Sequence, residues 1–185
     1  VGDFSLSNIM TSTLTQGVII FKAASINSID IRQCIFQTVD DVAVLNAINI
    51  KDAIFFISNT IFTSSKSQIL FLQNSSNNYI LDNHFLSFGK EIPLLDSTST
   101  ITISDSSGQS TLQDNIFTSL KGQTGIVQII AQNYAYHLNF TNNYFINNIA
   151  SKAGALYLSS IQQLVNSIII STANIEKCVF IQNKA

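Results

Sequence analysis

An all-β solenoid, a parallel β-helix of about six to seven coils, is the fold class that this sequence predicts. The first observation behind it is an internal repeat: an apolar residue, two polar ones, often an Asn, one variable residue and then Phe. IRQCIF ends at Phe36, ISNTIF at Phe62, ILDNHF at Phe85, LQDNIF at Phe117, FTNNYF at Phe145 and IEKCVF at Phe180. The second is the spacing of those Phe residues, 26, 23, 32, 28 and 35, the size of one solenoid coil. The third is composition. Ile, Phe, Asn and Ser abound, Trp is absent and there is one Pro, which favours strands and turns.

In chain order, residues 1–16 read as a degenerate lead-in, with LSNIM a decayed copy of the motif. GVIIFKAASI, residues 17–26, is an apolar strand ahead of the first full copy. A short polar turn follows each motif Phe, and then a second apolar strand. These strands are VAVLNAI from Val42, QILFLQ from Gln68, IPLL from Ile92, GIVQII from Gly125 and GALYL from Gly154. Length varies mainly between that strand and the next motif. STSTITISDSSGQST from Ser97 and SSIQQLVNSIIISTAN from Ser159 read as loops or extra strands bulging from one face.

Within the motif, positions one, four and six are the regular ones. Period-two alternation would put one and four on opposite faces, so the chain must bend between them. Position three holds Gln33, Asn59, Asp82, Asp114, Asn142 and Lys177, mostly residues that tolerate a left-handed bend. It is read as the corner between two strands. Position four holds Cys34, Thr60, Asn83, Asn115, Asn143 and Cys178. With coils stacked at ~4.8 Å, Asn83, Asn115 and Asn143 are expected to form an amide ladder. Phe36, Phe62, Phe85, Phe117, Phe145 and Phe180 are expected to form one buried aromatic column. Both rows are read as scaffold.

Charge narrows the function. The net charge is −2 with a single Arg, Arg32, which gives no footprint for nucleic acid or anionic lipid. No apolar run approaches a membrane span, and no signal peptide is visible at Val1. Asp82 and Asp114 share a motif position in successive copies, so the row they start admits Ca²⁺, the one cofactor considered. Asp40 and Asp41 read as a solvated turn. His84 is expected to face outward, and neither it nor His137 has a Ser or Cys partner at an equivalent position. Tyr134 and Tyr136 read as an ordinary strand with alternating Tyr ahead of a sugar platform. Cys34 and Cys178 are five copies apart, roughly 24 Å at one strand spacing per coil, too far for a disulfide. Sequons begin at Asn74 and Asn139; Asn74, in NSSNN, reads as the more exposed acceptor.

The chain resembles a right-handed parallel β-helix of the pectin-lyase-like superfamily. It is most similar to the FxxN and GGAI repeats of bacterial polymorphic outer-membrane proteins and of long protist surface proteins. FINN at Phe145 to Asn148 and FIQN at Phe180 to Asn183 carry the first pattern, and AGAL at Ala153 to Leu156 is a one-Gly form of the second. The likeness is strong over 140–185 and architectural before it. It implies an extracellular or cell-surface passenger or fibre segment. The superfamily's lyases cluster acidic residues with a partner Arg, and its hydrolases carry Asn-Thr-Asp, Asp-Asp, Gly-His-Gly and Arg-Ile-Lys strings; neither set is present.

The leading expectation is therefore a structural or adhesive extracellular β-helix, with residues 1–185 one domain and a segment of a longer solenoid. FIQNKA stops where FINNIASKAGALYL runs on, and neither end shows a cap. Expected partners are another copy stacked head-to-tail, or more of the same chain, and glycans. The alternative is a carbohydrate-active enzyme or carbohydrate-binding module on the same fold, which a row of aromatic and acidic residues on one exposed face would favour. A leucine-rich-repeat protein is disfavoured because LxxLxL is missing.

Overall fold

A computed structural model describes residues 2–10, 19–22, 26–38, 45–48, 53–64, 69–87, 99–132, 134–160 and 171–185. The chain opens with β1 (Gly2–Ser7) and β2 (Ile19–Lys22). Next come β3 (Ile26–Arg32), β4 (Ile35–Thr38) and β5 (Leu45–Ile48), then β6 (Ile54–Ser58), β7 (Ile61–Ser64) and β8 (Leu70–Gln73). β9 (Asn78–Leu81), β10 (His84–Ser87) and β11 (Ile101–Ser104) repeat the pattern. So do β12 (Gln109–Gln113), β13 (Ile116–Thr118), the short β14 (Lys121–Gly122) and β15 (Gly125–Ala131). The last strands are β16 (His137–Thr141), β17 (Tyr144–Ile146), β18 (Ile149–Ala150), β19 (Ala153–Ser160), β20 (Thr172–Glu176) and β21 (Val179–Ile181).

Three long parallel sheets result, with a two-stranded parallel one, β14-β18, beside them. The first, with seven strands, runs β1-β3-β6-β9-β12-β16-β20. The second, with six, runs β4-β7-β10-β13-β17-β21, and the third, also with six, β2-β5-β8-β11-β15-β19. A parallel β-solenoid is the only way to read that order: the chain visits the three sheets in turn and drops one strand at each pass.

The corner between the first two sheets is written into the motif. Gln33, Asn59, Asp82, Asp114, Asn142 and Lys177 all have φ between 51° and 56°, and Asn8 of the LSNIM segment joins them at 56°. Asn and Asp enter this region more easily than other side chains, and the stacked neighbours hold Gln33 and Lys177 in it. One left-handed residue turns the strand, so positions one and four both face the core.

Position four then bonds level to level. Asn115 Oδ1 accepts from Asn83 N at 3.0 Å and from Asn83 Nδ2 at 3.1 Å, while Asn115 Nδ2 donates to Ile80 O at 2.8 Å and to Asn143 Oδ1 at 3.0 Å. Asn143 Oδ1 also accepts from Asn115 N at 3.1 Å. Smaller groups take the same place in flanking levels. Thr60 N donates to Asn83 Oδ1 at 3.0 Å, and Thr60 Oγ1 donates back to Ser58 O at 2.9 Å. Cys34 Sγ donates to Arg32 O at 3.2 Å, and Cys178 Sγ to Glu176 O at 3.3 Å, each two residues back along the chain. Both thiols are free.

The Phe column fills the second sheet's inner face. Ring centroids lie 5.6 Å apart for Phe36–Phe62, 4.9 Å for Phe62–Phe85 and Phe85–Phe117, 4.5 Å for Phe117–Phe145 and 5.5 Å for Phe145–Phe180. Phe36 to Phe145 are fully buried, but Phe180 is 52% exposed, with Phe145 on one side of its ring. Opposite stand aliphatic rows of the third sheet, Leu45, Leu70, Ile101 and Val127 beside Ala47, Leu72, Ile103 and Ile129. Each Leu, Ile and Val among them contributes about 1.5–3 kcal/mol by leaving water.

FINN and FIQN, with FTSL at the equivalent place after Phe117, make a second corner. Ser119, Asn147 and Gln182 have φ near 55°, and the residue after each enters a shorter ladder. Asn148 Oδ1 accepts from Leu120 N at 2.9 Å and Asn148 Nδ2 donates to Phe117 O at 3.0 Å; Asn183 repeats this with Asn148 N at 3.0 Å and Phe145 O at 2.8 Å. The Gly of AGAL has its own reason. A Cβ on Gly154 would lie 2.8 Å from Lys184 O, so only Gly lets the next level's backbone pass.

One expectation is corrected. From Ser99 onward STSTITISDSSGQST is no excursion: Ile101–Ser104 is the third-sheet strand of its level, and Gln109 begins the next first-sheet strand. In a stretch expected to bulge from one face, Thr102 and Ser104 are only 5% and 8% exposed. The strand expected at Ile92 lies outside the described residues, as do 161–170 within the second proposed excursion; Thr172–Glu176 at its end is a first-sheet strand.

Candidate functional site

With the inward rows spent on packing and ladders, function falls to the outward ones. On the first sheet, the residues six before each motif Phe form one outward row: Asp30, Phe56, Tyr79, Thr111, Asn139 and Asn174. Its beginning is a stack. Arg32 Nε lies 2.6 Å from Asp30 Oδ1, and the guanidinium sits 5.7 Å from the Phe56 ring centre. Phe56 and Tyr79 stack face to face at 4.5 Å with 16° between planes. The exposed ion pair adds little stability, but it fixes the guanidinium against the ring.

Further along the sheet, a groove of about 590 Å³ lies between Asn139 and Asn174 of this row and the parallel row of Gln109, His137 and Thr172. Gln109, His137, Asn139, Thr172 and Asn174 supply its polar side chains among the described residues, with Leu138 and Ala173 between them. His137 Nδ1 is 2.9 Å from Thr172 Oγ1, and Asn174 Nδ2 donates to Asn139 Oδ1 at 3.3 Å. Among the described residues, His137 Nε2, Asn139 Nδ2 and Asn174 Oδ1 have no hydrogen-bond partner. Amides and hydroxyls without a fixed charge are suited to binding, not to proton transfer or nucleophilic attack.

Compared with known protein families, curated proteins and solved structures, the chain matches none. The parallel β-solenoid stands on the geometry alone.

The residues singled out from the sequence are dispersed. Asp82 and Asp114 sit at successive levels of the first corner, one exposed and one half-buried, and Gln113 Nε2 donates to Asp114 Oδ2 at 2.8 Å. Among the described residues no three His, Cys, Asp or Glu side chains group together as metal ligands. Asp40 and Asp41 lie outside the described residues. His84 points outward and is half-buried between the Ile61 and Ile116 positions of neighbouring strands; burial lowers its pKa below the ordinary 6.5. Tyr134 and Tyr136 precede β16 instead of alternating within a strand: Tyr134 is exposed, and Tyr136 packs against the core. Asn74 is a half-buried corner residue with φ 59°, and its sequon hydroxyl, Ser76 Oγ, donates to Ala53 O at 3.2 Å. Asn139 lines the groove.

Phe56 and Tyr79 lie outside the six-residue motif, so its regular positions do not mark them. Aligning the copies six residues upstream of each motif Phe would have shown them together.

A second hollow, about 510 Å³, lies beside the second corner and is lined by Asn147, Ile149, Gln182, Asn183 and Lys184. The second sheet's outer face carries exposed Met10, Ile61, Ile116 and Tyr144.

Proposed function

We propose that this chain is a structural or adhesive β-solenoid segment of an extracellular or cell-surface protein. The observation that carries this reading is where the repeat spends its side chains. The motif's regular positions go into the Phe column and the amide ladders, so what recurs in every coil is rigidity along one axis. Outward positions vary from level to level, as they do on a rod that presents a surface. The likeness of FINN, FIQN and AGAL to the repeats of polymorphic outer-membrane and protist surface proteins supports the same location, and a pectin-lyase-like superfamily origin belongs to this proposal. The last described level exposes Ile175, Phe180 and Ile181 at 47%, 52% and 45%. A further coil would cover them, from the same polypeptide or from a second copy stacked head-to-tail.

Surface shaving tests the location. Brief trypsin treatment of intact source cells should release peptides of this chain before any cytosolic marker appears. Peptides recovered only after lysis would end the surface reading.

The carbohydrate-active alternative divides at the groove. Catalysis on a glycan needs paired carboxylates or a carboxylate with a base at the bond to be cut, and among the described residues the groove's polar side chains are amides, a hydroxyl and one imidazole. Binding needs neither.

A further inference from the structure

Two middle levels of the core carry polar side chains where the levels beside them are apolar. Along one inward row of the first sheet stand Ile29, Phe55, Asn78, Ser110 and Leu138, all buried. A third corner, between the third sheet and the first, adds to the polar pair in that row. Asn74 and Asp105 turn left-handed there, at φ 59° and 53°, and the residues that follow them, Ser75 and Ser106, are buried. Ser107 N donates to Ser75 O at 2.9 Å and Gly108 N to Ser76 O at 2.8 Å, which stacks one turn on the other and Ser106 over Ser75. Asn78 Nδ2 joins the two groups, donating to Ser106 Oγ and to Ser110 Oγ at 3.1 Å each.

The bonding within this cluster is incomplete. Asn78 Oδ1 and Ser75 Oγ are buried and have no hydrogen-bond partner. Ser106 Oγ gives its hydrogen to Ser76 O at 2.7 Å and has none for the Asn78 carbonyl. Turning the Asn78 amide round would only leave Nδ2 unpaired in its place. At the first corner an Asn side chain reaches from level to level, as Asn115 does to Asn143, and a Ser is too short to do the same at the third. A buried carbonyl or hydroxyl left unpaired loses its hydration with nothing in return.

We infer that this cluster binds an internal water molecule, which donates to Asn78 Oδ1 and bonds the Ser75 hydroxyl. Water both gives and takes hydrogen bonds, and buried waters make about two to four of them to groups otherwise unsatisfied. Ser110 Oγ is a further partner, since it accepts from Asn78 and still carries a hydrogen to give. The four side chains are three hydroxyls and an amide, without charge, which favours water over a metal ion. The adjacent carboxylate, that of Asp105, accepts from Gln132 N at 2.7 Å. The water would supply the length that Ser75 lacks. The inference concerns the inside of the rod and does not depend on where the protein works.

The test is a crystal structure of the 185-residue chain at a resolution that shows ordered waters. One density peak is expected within about 3.2 Å of both Asn78 Oδ1 and Ser75 Oγ. In solution, a water cross-peak to the Asn78 side-chain amide should mark the same molecule as long-lived. Ser75→Ala, which removes one partner and little volume, should weaken that cross-peak or abolish it. The inference is overturned if the site shows no peak and the two groups bond protein atoms instead, or if Ser75→Ala leaves the cross-peak unchanged. Contacts of about 2.3–2.6 Å to the peak would mark a cation and overturn the assignment to water.

Discussion

Asn115 shows how a single side chain holds three levels of the solenoid. Its oxygen takes the Asn83 backbone and side-chain N–H groups from the level before, and its nitrogen serves Ile80 O and Asn143 Oδ1. Asn115→Ala would orphan several of these buried groups together. The expected cost is about 2 kcal/mol or more, read as a lower urea midpoint. Asn115→Thr should cost less, because at an equivalent position the Thr60 hydroxyl accepts from Cys34 N of the level before at 3.4 Å. His84 makes a different prediction. Burial lowers its pKa, so just below pH 6.5 the unfolded chain binds more protons than the folded one. Its contribution to stability is therefore full above that pH and is lost as the pH falls through the folded-state pKa. Unfolding midpoints at pH 5 and 7.5 should differ less in His84→Gln than in the parent; an equal or larger difference would remove His84 as a source.

At the scale of the element, the Phe column and the corner explain why the fold class could be read from sequence. A residue that returns every 23 to 35 positions cannot follow a helical period, and the one before its ladder neighbour is repeatedly able to turn left-handed. What could not be read was β11. Its register is set by Leu70, Leu72, Val127 and Ile129 on neighbouring strands, not by its own alternation of Ile with Ser and Thr. The groove was hidden for a related reason: Phe56 and Asn139 are 83 residues apart in the chain yet share one outward row. Phe117→Ala should cost about 3–5 kcal/mol, since it breaks the column where rings lie 4.9 Å and 4.5 Å on either side. Phe180→Ala should cost less, because that ring is half-exposed. A chemical denaturation series with equal losses at both sites would contradict the packing order.

For the whole molecule, continuity along one axis is the property that matters. Each level hydrogen-bonds to the next through backbone, amide ladder and ring stack, and each therefore presents a template for a further level. With charged residues at 11%, few side chains oppose such stacking. A head-to-tail contact of the proposed kind would be heterologous and would grow without closing on itself. Light scattering across a concentration series of this 185-residue chain tests that directly. The account predicts a mass that rises with concentration and falls back when Phe180→Lys puts a charge on the exposed ring position. A particle that stays at 20.3 kDa from the lowest to the highest concentration would contradict it.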